Sequence, residues 1–280
     1  MKQSDKELKI IVDVGASIGE FASHVLIHNK NIKVIAVEPN EEFCKFYLEN
    51  IQAEFSSRMK IFYYALANIS GNFEFYGSKV LEGNIGSLKK LNPNKQWDEY
   101  LEKNLDKSSL QISSMVKVKS VSEFISESQI SHIDFLKIDA QGSDVEILEL
   151  FLSYIPISCA VVEVNTLSNS SENIYLSNNN LNELIKIIFR YNLKIIKIVP
   201  NGDFTELNIF LAENEVEGLR IIEDLKLKSS TVFSRGWEVS VSKKLSNSYM
   251  DLGTKLFRKI FLDLKNPVKF GKSVMRKLSN

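Results

Sequence analysis

The sequence of 280 residues predicts an α/β fold with a doubly wound, mostly parallel sheet. Short runs that are apolar on both faces alternate with helical patterns, as expected for strands that helices cover on both sides. The last two runs, LKIIKIVP and TELNIFLAE, are joined only by NGDF, whereas a parallel crossover needs about a dozen residues. These observations predict a parallel sheet that ends in an antiparallel hairpin.

The predicted strands and helices follow one another from the N-terminus onwards. The first strand is LKIIVDV and the first helix is ASIGEFASHVLIHN. The later elements, in order, are IKVIAVEP, NEEFCKFYLENIQAEF, KIFYYALA, HIDFLKID, GSDVEILELFLSY, CAVVEVN, NLNELIKIIFRYN and the hairpin. Residues 79–117 break this rhythm with a polar stretch containing Trp97 and Tyr100. We interpret them as a lid or acceptor loop, and a disordered surface loop is the alternative.

Charge and composition limit the compartment and the partners. Residues 243–280 hold ten Lys or Arg against two Asp, so this tail carries +8 and the remainder −8 of a net charge of zero. We therefore expect no nucleic-acid partner for the main body. No apolar stretch is long enough for a membrane span or a signal peptide, and we expect a cytoplasmic protein. Cys44 and Cys159 have no pairing or metal spacing, which predicts reduced core residues.

A glycine loop follows the first strand, where an open parallel sheet binds its ligands. A dinucleotide fingerprint would need glycine at Gly15, Ser17 and Glu20, and two of these positions fail. The remaining pattern is Asp13-x-Gly15-x-x-x-Gly19. Gly15 can take a positive φ and lie close to a ligand, while Gly19 allows the next helix to pack near the strand. A pyrophosphate ligand is therefore not expected.

An acidic residue ends the second predicted strand. Glu38 lies 23 residues after Gly15 in the sequence. This spacing is close to the one at which an acidic residue accepts hydrogen bonds from ribose hydroxyls. Pro39 then ends the strand. S-adenosylmethionine matches both loops, because it offers a ribose to Glu38, carries a sulfonium and an ammonium group for acidic surroundings, and has no phosphate. A solvated strand end is the alternative interpretation of Glu38.

A second group of polar residues lies at the ends of two later strands. Lys137 and Asp139 share one face of their strand, and Glu163 and Asn165 share one face of the next. We expect the four side chains to converge at the same rim, although a buried Lys137–carboxylate pair with a purely structural role is the alternative. Ser143 is placed to cap the following helix.

Five segments resemble the FkbM family of S-adenosylmethionine-dependent methyltransferases: IIVDVGASIGEF, VIAVEPN, ALANISGNFEFYGS, NIGSL and IDFLKIDAQGSDVEIL. The resemblance runs from about Leu8 to Asn214, and its most specific part is Lys-Ile-Asp-x-x-Gly. Two positions depart from the family pattern. Gln141 stands where a glutamate is usual, and the acid expected soon after the glycine is displaced to Asp144.

The resemblance implies a Rossmann-like class I methyltransferase fold, S-adenosylmethionine as donor, and O-methylation of a hydroxyl on a sugar, glycan or secondary metabolite. It places Lys137 and Asp139 near the transferred methyl group. The resulting cofactor-binding set is Asp13, Gly15, Ala16, Ser17, Gly19, Glu38, Pro39, Ala65 and Leu66. We assign residues 1–214 to the methyltransferase domain and 215–280 to a C-terminal helical extension.

Three residues are the catalytic candidates. A sugar hydroxyl must lose its proton as it attacks the methyl group, and a carboxylate within hydrogen-bond reach can accept that proton. Asp139 is the first choice for this base and Glu163 the second, with Lys137 lowering the local proton affinity or orienting the acceptor. A metal-assisted route is the alternative, although no clear ligand cluster in the sequence demands a metal.

The C-terminal extension from Tyr249 has the pattern of a basic amphipathic helix. Such a helix can bind an anionic membrane surface, here the inner face of the membrane. Docking on this chain or on a second copy, as in a homo-oligomer, is the alternative.

Two other functions remain open from the sequence. A nicotinamide-dependent oxidoreductase would use a similar sheet, but the dinucleotide spacing fails and its Tyr-x-x-x-Lys signature is absent. A non-catalytic binding module would have no physical need for Asp13, Gly15, Glu38 and Asp139 together.

Overall fold

The structure is a computed structural model that describes residues 8–77, 86–90, 92, 112–166, 175–201 and 206–227. Its strands are β1 (Lys9–Val14), β2 (Ile32–Val37), β3 (Met59–Phe62), β4 (Ala65–Ala67), β5 (Gly71–Gly77), β6 (Ile112–Ser120), β7 (Ile133–Ile138), β8 (Ile157–Asn165), β9 (Lys194–Asn201) and β10 (Glu206–Ala212). Its helices are α1 (Glu20–His28), α2 (Glu41–Glu54), α3 (Val121–Ser128), α4 (Asp144–Tyr154), α5 (Leu181–Arg190) and α6 (Glu215–Asp224).

The described strands form a main sheet of seven strands in the order β3-β2-β1-β7-β8-β10-β9. All neighbours are parallel except β10, which is antiparallel to both β8 and β9. The predicted doubly wound sheet and its antiparallel hairpin are therefore confirmed. The strand order reverses between β1 and β7, and this is the point at which sheets of this kind bind ligands.

The main sheet is covered by helices on both faces. Val12 and Ile35 face a core that includes Phe124 of α3 and Phe151 of α4. Residues of opposite parity, such as Ile11 and Val34, face a second core that includes Phe21 of α1, Leu48 of α2 and Ile221 of α6. Both faces of each central strand are consequently apolar, which explains the continuous apolar runs in the sequence.

A second, smaller sheet was not predicted from the sequence. The run KIFYYALA, predicted as one strand, divides after Phe62, and its second half becomes β4 in a sheet of order β4-β6-β5. The run is apolar throughout, so its periodicity gives no sign of the division. β6 begins at Ile112, so the last part of the predicted 79–117 loop is a strand that pairs with β5.

Some of the remaining predictions concern residues that the structure describes, and others do not. Most of the predicted lid, with Trp97 and Tyr100, and the whole basic tail lie outside the described residues. Cys44 and Cys159 are buried and unpaired, as predicted. No helix in the described part of the chain is long and apolar enough to cross a membrane.

Candidate active site

A cleft lies beyond the carboxyl ends of β1, β2 and β7, at the reversal of strand order. Six residues of the predicted cofactor set line it, together with Asp139 at the end of β7. The six are Gly15, Ser17, Glu38, Pro39, Ala65 and Leu66. The other three predicted residues, Asp13, Ala16 and Gly19, do not line the cleft. The cleft is closed on a further side by Phe75 of β5 and Leu88, which sequence reasoning did not assign.

Glu38 joins the two loops that follow β1 and β2. Its Oε2 accepts a hydrogen bond from the Ser17 backbone N–H (2.8 Å), and its Oε1 accepts one from the Asn40 N–H (2.9 Å). Burial raises the pKa of Glu38, and the two backbone donors oppose that increase. A carboxylate has about four lone-pair positions, so Glu38 can still accept hydrogen bonds from a ligand in the cleft.

Gly15 has no room for a side chain. Its φ is +73°, and a Cβ would overlap the backbone carbonyl of Asp139. The loop after β1 can therefore lie directly against the end of β7, because Gly15, its residue at the point of contact, has no side chain. Gly19 has a φ of +82°, and a Cβ would lie 2.5 Å from Cδ1 of Ile51 on α2. The predicted close packing at Gly19 is thus against a helix, not against the strand.

We expect Gly15→Ala to destabilise the fold more than Gly19→Ala. Both substitutions force a left-handed backbone on alanine, at about 1–2 kcal/mol. Only Gly15→Ala also collides with a backbone atom, whereas the methyl end of Ile51 can move aside. Urea unfolding of the two variants measures the difference. Equal losses of unfolding free energy would contradict the tight contact between the β1 loop and Asp139.

Asp13 and Lys137 form an ion pair beneath the β1 loop. Lys137 Nζ lies 3.0 Å from Asp13 Oδ1 and donates a hydrogen bond to the Gly15 carbonyl at 3.1 Å. Asp13 has no exposed surface, and neither of its oxygens has a further hydrogen-bond partner among the described residues. Asp13 therefore supports the loop from below, through Lys137, and does not line the cleft.

Opposite charges and burial act against each other in this pair. Burial alone would lower the pKa of Lys137, but the charges of Asp13 and Asp139 outweigh it and raise the pKa. Burial raises the pKa of Asp13, and the Lys137 charge opposes that increase. The short distance between Nζ and Oδ1 favours the ionised form of both groups.

Asp139 is the carboxylate that the cleft exposes. Its side chain is 42% exposed, and its Oδ2 lies 3.8 Å from Lys137 Nζ. Its Oδ1 accepts a hydrogen bond from Gln141 Nε2 at 2.7 Å. Lys137 and Asp139 therefore come together as predicted, and Asp139 is the member of the pair that a ligand can reach.

The loop from Asp139 to α4 is held by a buried carboxylate. Asp144 accepts hydrogen bonds from the N–H groups of Ala140 (2.8 Å) and Gly142 (3.0 Å) and from Asn179 Nδ2 (3.0 Å). Burial, and after it the charge of Asp139, raises the pKa of Asp144 to about 7, while the backbone donors lower it.

The predicted side-chain cap by Ser143 was wrong, because that residue has φ −113° and ψ 7° and its side chain makes no cap hydrogen bond.

We expected Glu163 and Asn165 to converge on the cleft with Lys137 and Asp139, but they do not line it. They line a separate small cavity, which Tyr175, Asn179 and Gln141 also line. Asn165 is bridged to Asn180, and its Nδ2 donates to the Asn179 carbonyl at 3.1 Å. The segment from Tyr175 to Asn180 therefore covers this strand end. Among the described residues, Gln141 alone lines both the cavity and the cleft.

Sequence reasoning assigned no role to the residues that reach Gln141 from distant segments. Ser87 Oγ donates to the Gln141 carbonyl at 2.5 Å, and Tyr175 Oη donates to Gln141 Oε1 at 2.9 Å. NIGSL, which contains Ser87, was the available signal for the first contact. No motif marks Tyr175. Among the described residues, no group of three or more His, Cys, Asp or Glu side chains could hold a metal ion.

Comparison with known proteins gives one family match. The model of the methyltransferase FkbM domain matches residues 13–195. A comparison with curated proteins found no match. The matched range includes every predicted cofactor and catalytic residue.

Solved structures show more distant likeness. The chain is similar to an O-methyltransferase family 2 protein from Planctomyces limnophilus in complex with apigenin, with 9% identity, a TM-score of 0.39, and coverage of 74% of this chain and 51% of that chain. It is similar to the pyocyanin biosynthetic protein PhzM, with 12% identity, a TM-score of 0.39, and coverage of 76% and 52%. It is also similar to a SAM-dependent methyltransferase from Aquifex aeolicus, with 11% identity, a TM-score of 0.37, and coverage of 75% of this chain and 85% of that chain. The chain thus spans about half the length of the first two proteins.

Proposed function

The chain belongs to the FkbM methyltransferase family, and on that basis we propose that it transfers the methyl group of S-adenosylmethionine to a hydroxyl of a sugar, glycan or related secondary metabolite. One observation carries the proposal. Glu38 at the end of β2 and the exposed Asp139 at the end of β7 line the same cleft, on either side of the Gly15 loop.

The donor half of the cleft fits S-adenosylmethionine. Glu38 offers carboxylate oxygens to the ribose hydroxyls, and Leu66 and Phe75 supply apolar surface for the adenine ring. Backbone donors already fix the Glu38 carboxylate, so no side-chain freedom is lost when a ribose binds. When bound, S-adenosylmethionine supplies a methyl group on a positively charged sulfonium.

The acceptor half of the cleft supports base-assisted attack by a hydroxyl. The described residues donate no hydrogen bond to Asp139 Oδ2, which is therefore available to accept the proton of an acceptor hydroxyl. Lys137 compensates the charge on this carboxylate from 3.8 Å. Holding the acceptor oxygen on the line of attack can contribute about 7–11 kcal/mol, so the hydrogen bonds that hold the loop after Asp139 also support the reaction.

A methyl-transfer assay tests the proposed function. The native protein is incubated with methyl-tritiated S-adenosylmethionine and a panel of neutral monosaccharides, oligosaccharides and phenols, and the products are analysed by mass spectrometry. We expect an acceptor-dependent O-methyl product. Products methylated only on nitrogen or sulfur, when amine and thiol acceptors are added to the panel, would contradict the proposed acceptor chemistry.

A further inference from the structure

We propose that Gln141 is a positioning residue that holds the Asp139 side chain as a carboxylate with Oδ2 turned towards the acceptor. The catalytic role of Gln141 rests on the proposed function. The hydrogen bonds from which we infer its positioning role do not depend on that function.

The orientation of the Gln141 amide is fixed from both ends. Its Oε1 accepts a hydrogen bond from Tyr175 Oη at 2.9 Å, and its Nε2 donates to Asp139 Oδ1 at 2.7 Å. The reversed amide would set Oε1 against the Asp139 carboxylate, and both of those groups accept hydrogen bonds only. Burial, followed by nearby carboxylates, raises the pKa of Tyr175, so its hydroxyl remains a donor.

The backbone that carries this amide is also held. Gln141 has a φ of +50°, an uncommon conformation for a residue other than glycine. The neighbouring N–H groups of Ala140 and Gly142 donate to Asp144, and Ser87 Oγ donates to the Gln141 carbonyl. These contacts keep the residue in its strained conformation, so the side chain projects from a fixed point.

The contact with Asp139 has a chemical consequence. An amide N–H donates to a carboxylate oxygen and stabilises the ionised form, which is the form that can accept a proton. It also occupies Oδ1, whereas the described residues donate no hydrogen bond to Oδ2. Among the described residues, the charged and titratable groups around Asp139 are Lys137 on β7, Asp13 on β1, Asp144 on α4 and Tyr175 on the covering segment.

A glutamate at position 141 would act in the opposite way. Two carboxylates at hydrogen-bond distance share one proton, because both cannot be ionised without strong repulsion. Asp139 would then carry a proton at higher pH. Gln141 carries no charge and no titratable proton, so it donates to Asp139 without competing for that proton.

The test is a titration of Asp139 by NMR in protein labelled with ¹³Cγ-aspartate, with Asp139→Asn used to assign the signal. In Gln141→Glu we expect the protonation midpoint of Asp139 to rise by about one pH unit or more relative to the native protein. Tyr175→Phe removes the donor that fixes the amide, and we expect a smaller rise. Gln129→Glu is the matched control, since Gln129 also has a positive φ (+56°) but lies at the end of α3. It should leave the midpoint unchanged.

An Asp139 midpoint that stays the same in both Gln141→Glu and Tyr175→Phe would overturn the proposal. So would a shift of equal size in Gln129→Glu, because the effect would then come from general charge. The titration requires no acceptor, so its result is separate from the methyl-transfer assay. A shifted midpoint in a protein that transfers no methyl group would refute the proposed function alone.

Discussion

Replacing Asp139 with asparagine is expected to lower methyl transfer by about 10²- to 10⁴-fold, the usual contribution of a general base. The substitution keeps the size of the side chain and can still accept a hydrogen bond from Gln141. It removes the charge and the ability to accept a proton from the acceptor hydroxyl. Turnover is measured with the acceptor found in the methyl-transfer assay, and S-adenosylmethionine binding is measured by calorimetry on the same samples.

The binding measurement separates loss of the base from loss of the donor site. We expect donor affinity to stay within about threefold of the native value, a difference of less than about 1 kcal/mol. Asp224→Asn provides the matched control, because Asp224 forms a surface ion pair with Lys9 and lies outside the cleft. Near-normal turnover by Asp139→Asn would contradict its assignment as the base.

Replacing Lys137 with methionine is expected to destabilise the protein by about 3–5 kcal/mol, the cost of leaving a buried charge without its partner. Asp13 has no exposed surface, and its carboxylate would lose the ammonium that lies 3.0 Å away. The β1 loop would also lose the hydrogen bond from Lys137 to the Gly15 carbonyl. The free energy of unfolding in urea at neutral pH measures the loss.

Two further variants identify the cause of that loss. Lys9→Met breaks a surface pair with Asp224, and exposed pairs contribute only about 0–1 kcal/mol, so this variant should remain close to native stability. The double variant Asp13→Asn with Lys137→Met removes the uncompensated charge and should recover part of the lost stability. If Lys137→Met cost no more than Lys9→Met, the buried ion pair would not support the loop.

The sequence was sufficient to predict where the cleft lies. Because the carboxyl ends of parallel strands meet at one edge, the positions of Gly15, Glu38 and Asp139 after three such strands place them together. The antiparallel hairpin was equally predictable, since its four-residue connection excludes a parallel crossover. These conclusions depend only on strand direction and side-chain alternation.

Contacts between distant segments were not predictable in the same way. Tyr175 reaches Gln141 from 34 residues away, and no local pattern indicates that it covers the end of β8. The same segment keeps Glu163 out of the cleft, although strand alternation placed Glu163 at the right edge. Asp13 belongs to a ligand-binding motif, yet it is buried and paired with Lys137. The two residues meet because β1 pairs with β7 at these positions, and that pairing was not predicted from the sequence.

Isothermal titration calorimetry with S-adenosylmethionine and with NAD, on the native protein and on Glu38→Ala, tests the central claim most directly. Glu42→Ala, an exposed residue of α2 outside the cleft, is the control. Since a hydrogen bond to a charged group contributes about 1.5–3 kcal/mol, we expect S-adenosylmethionine binding to weaken about 10- to 150-fold in Glu38→Ala and not in Glu42→Ala. NAD should bind to none of the three proteins. Binding of NAD in place of S-adenosylmethionine, or of neither, would contradict the account.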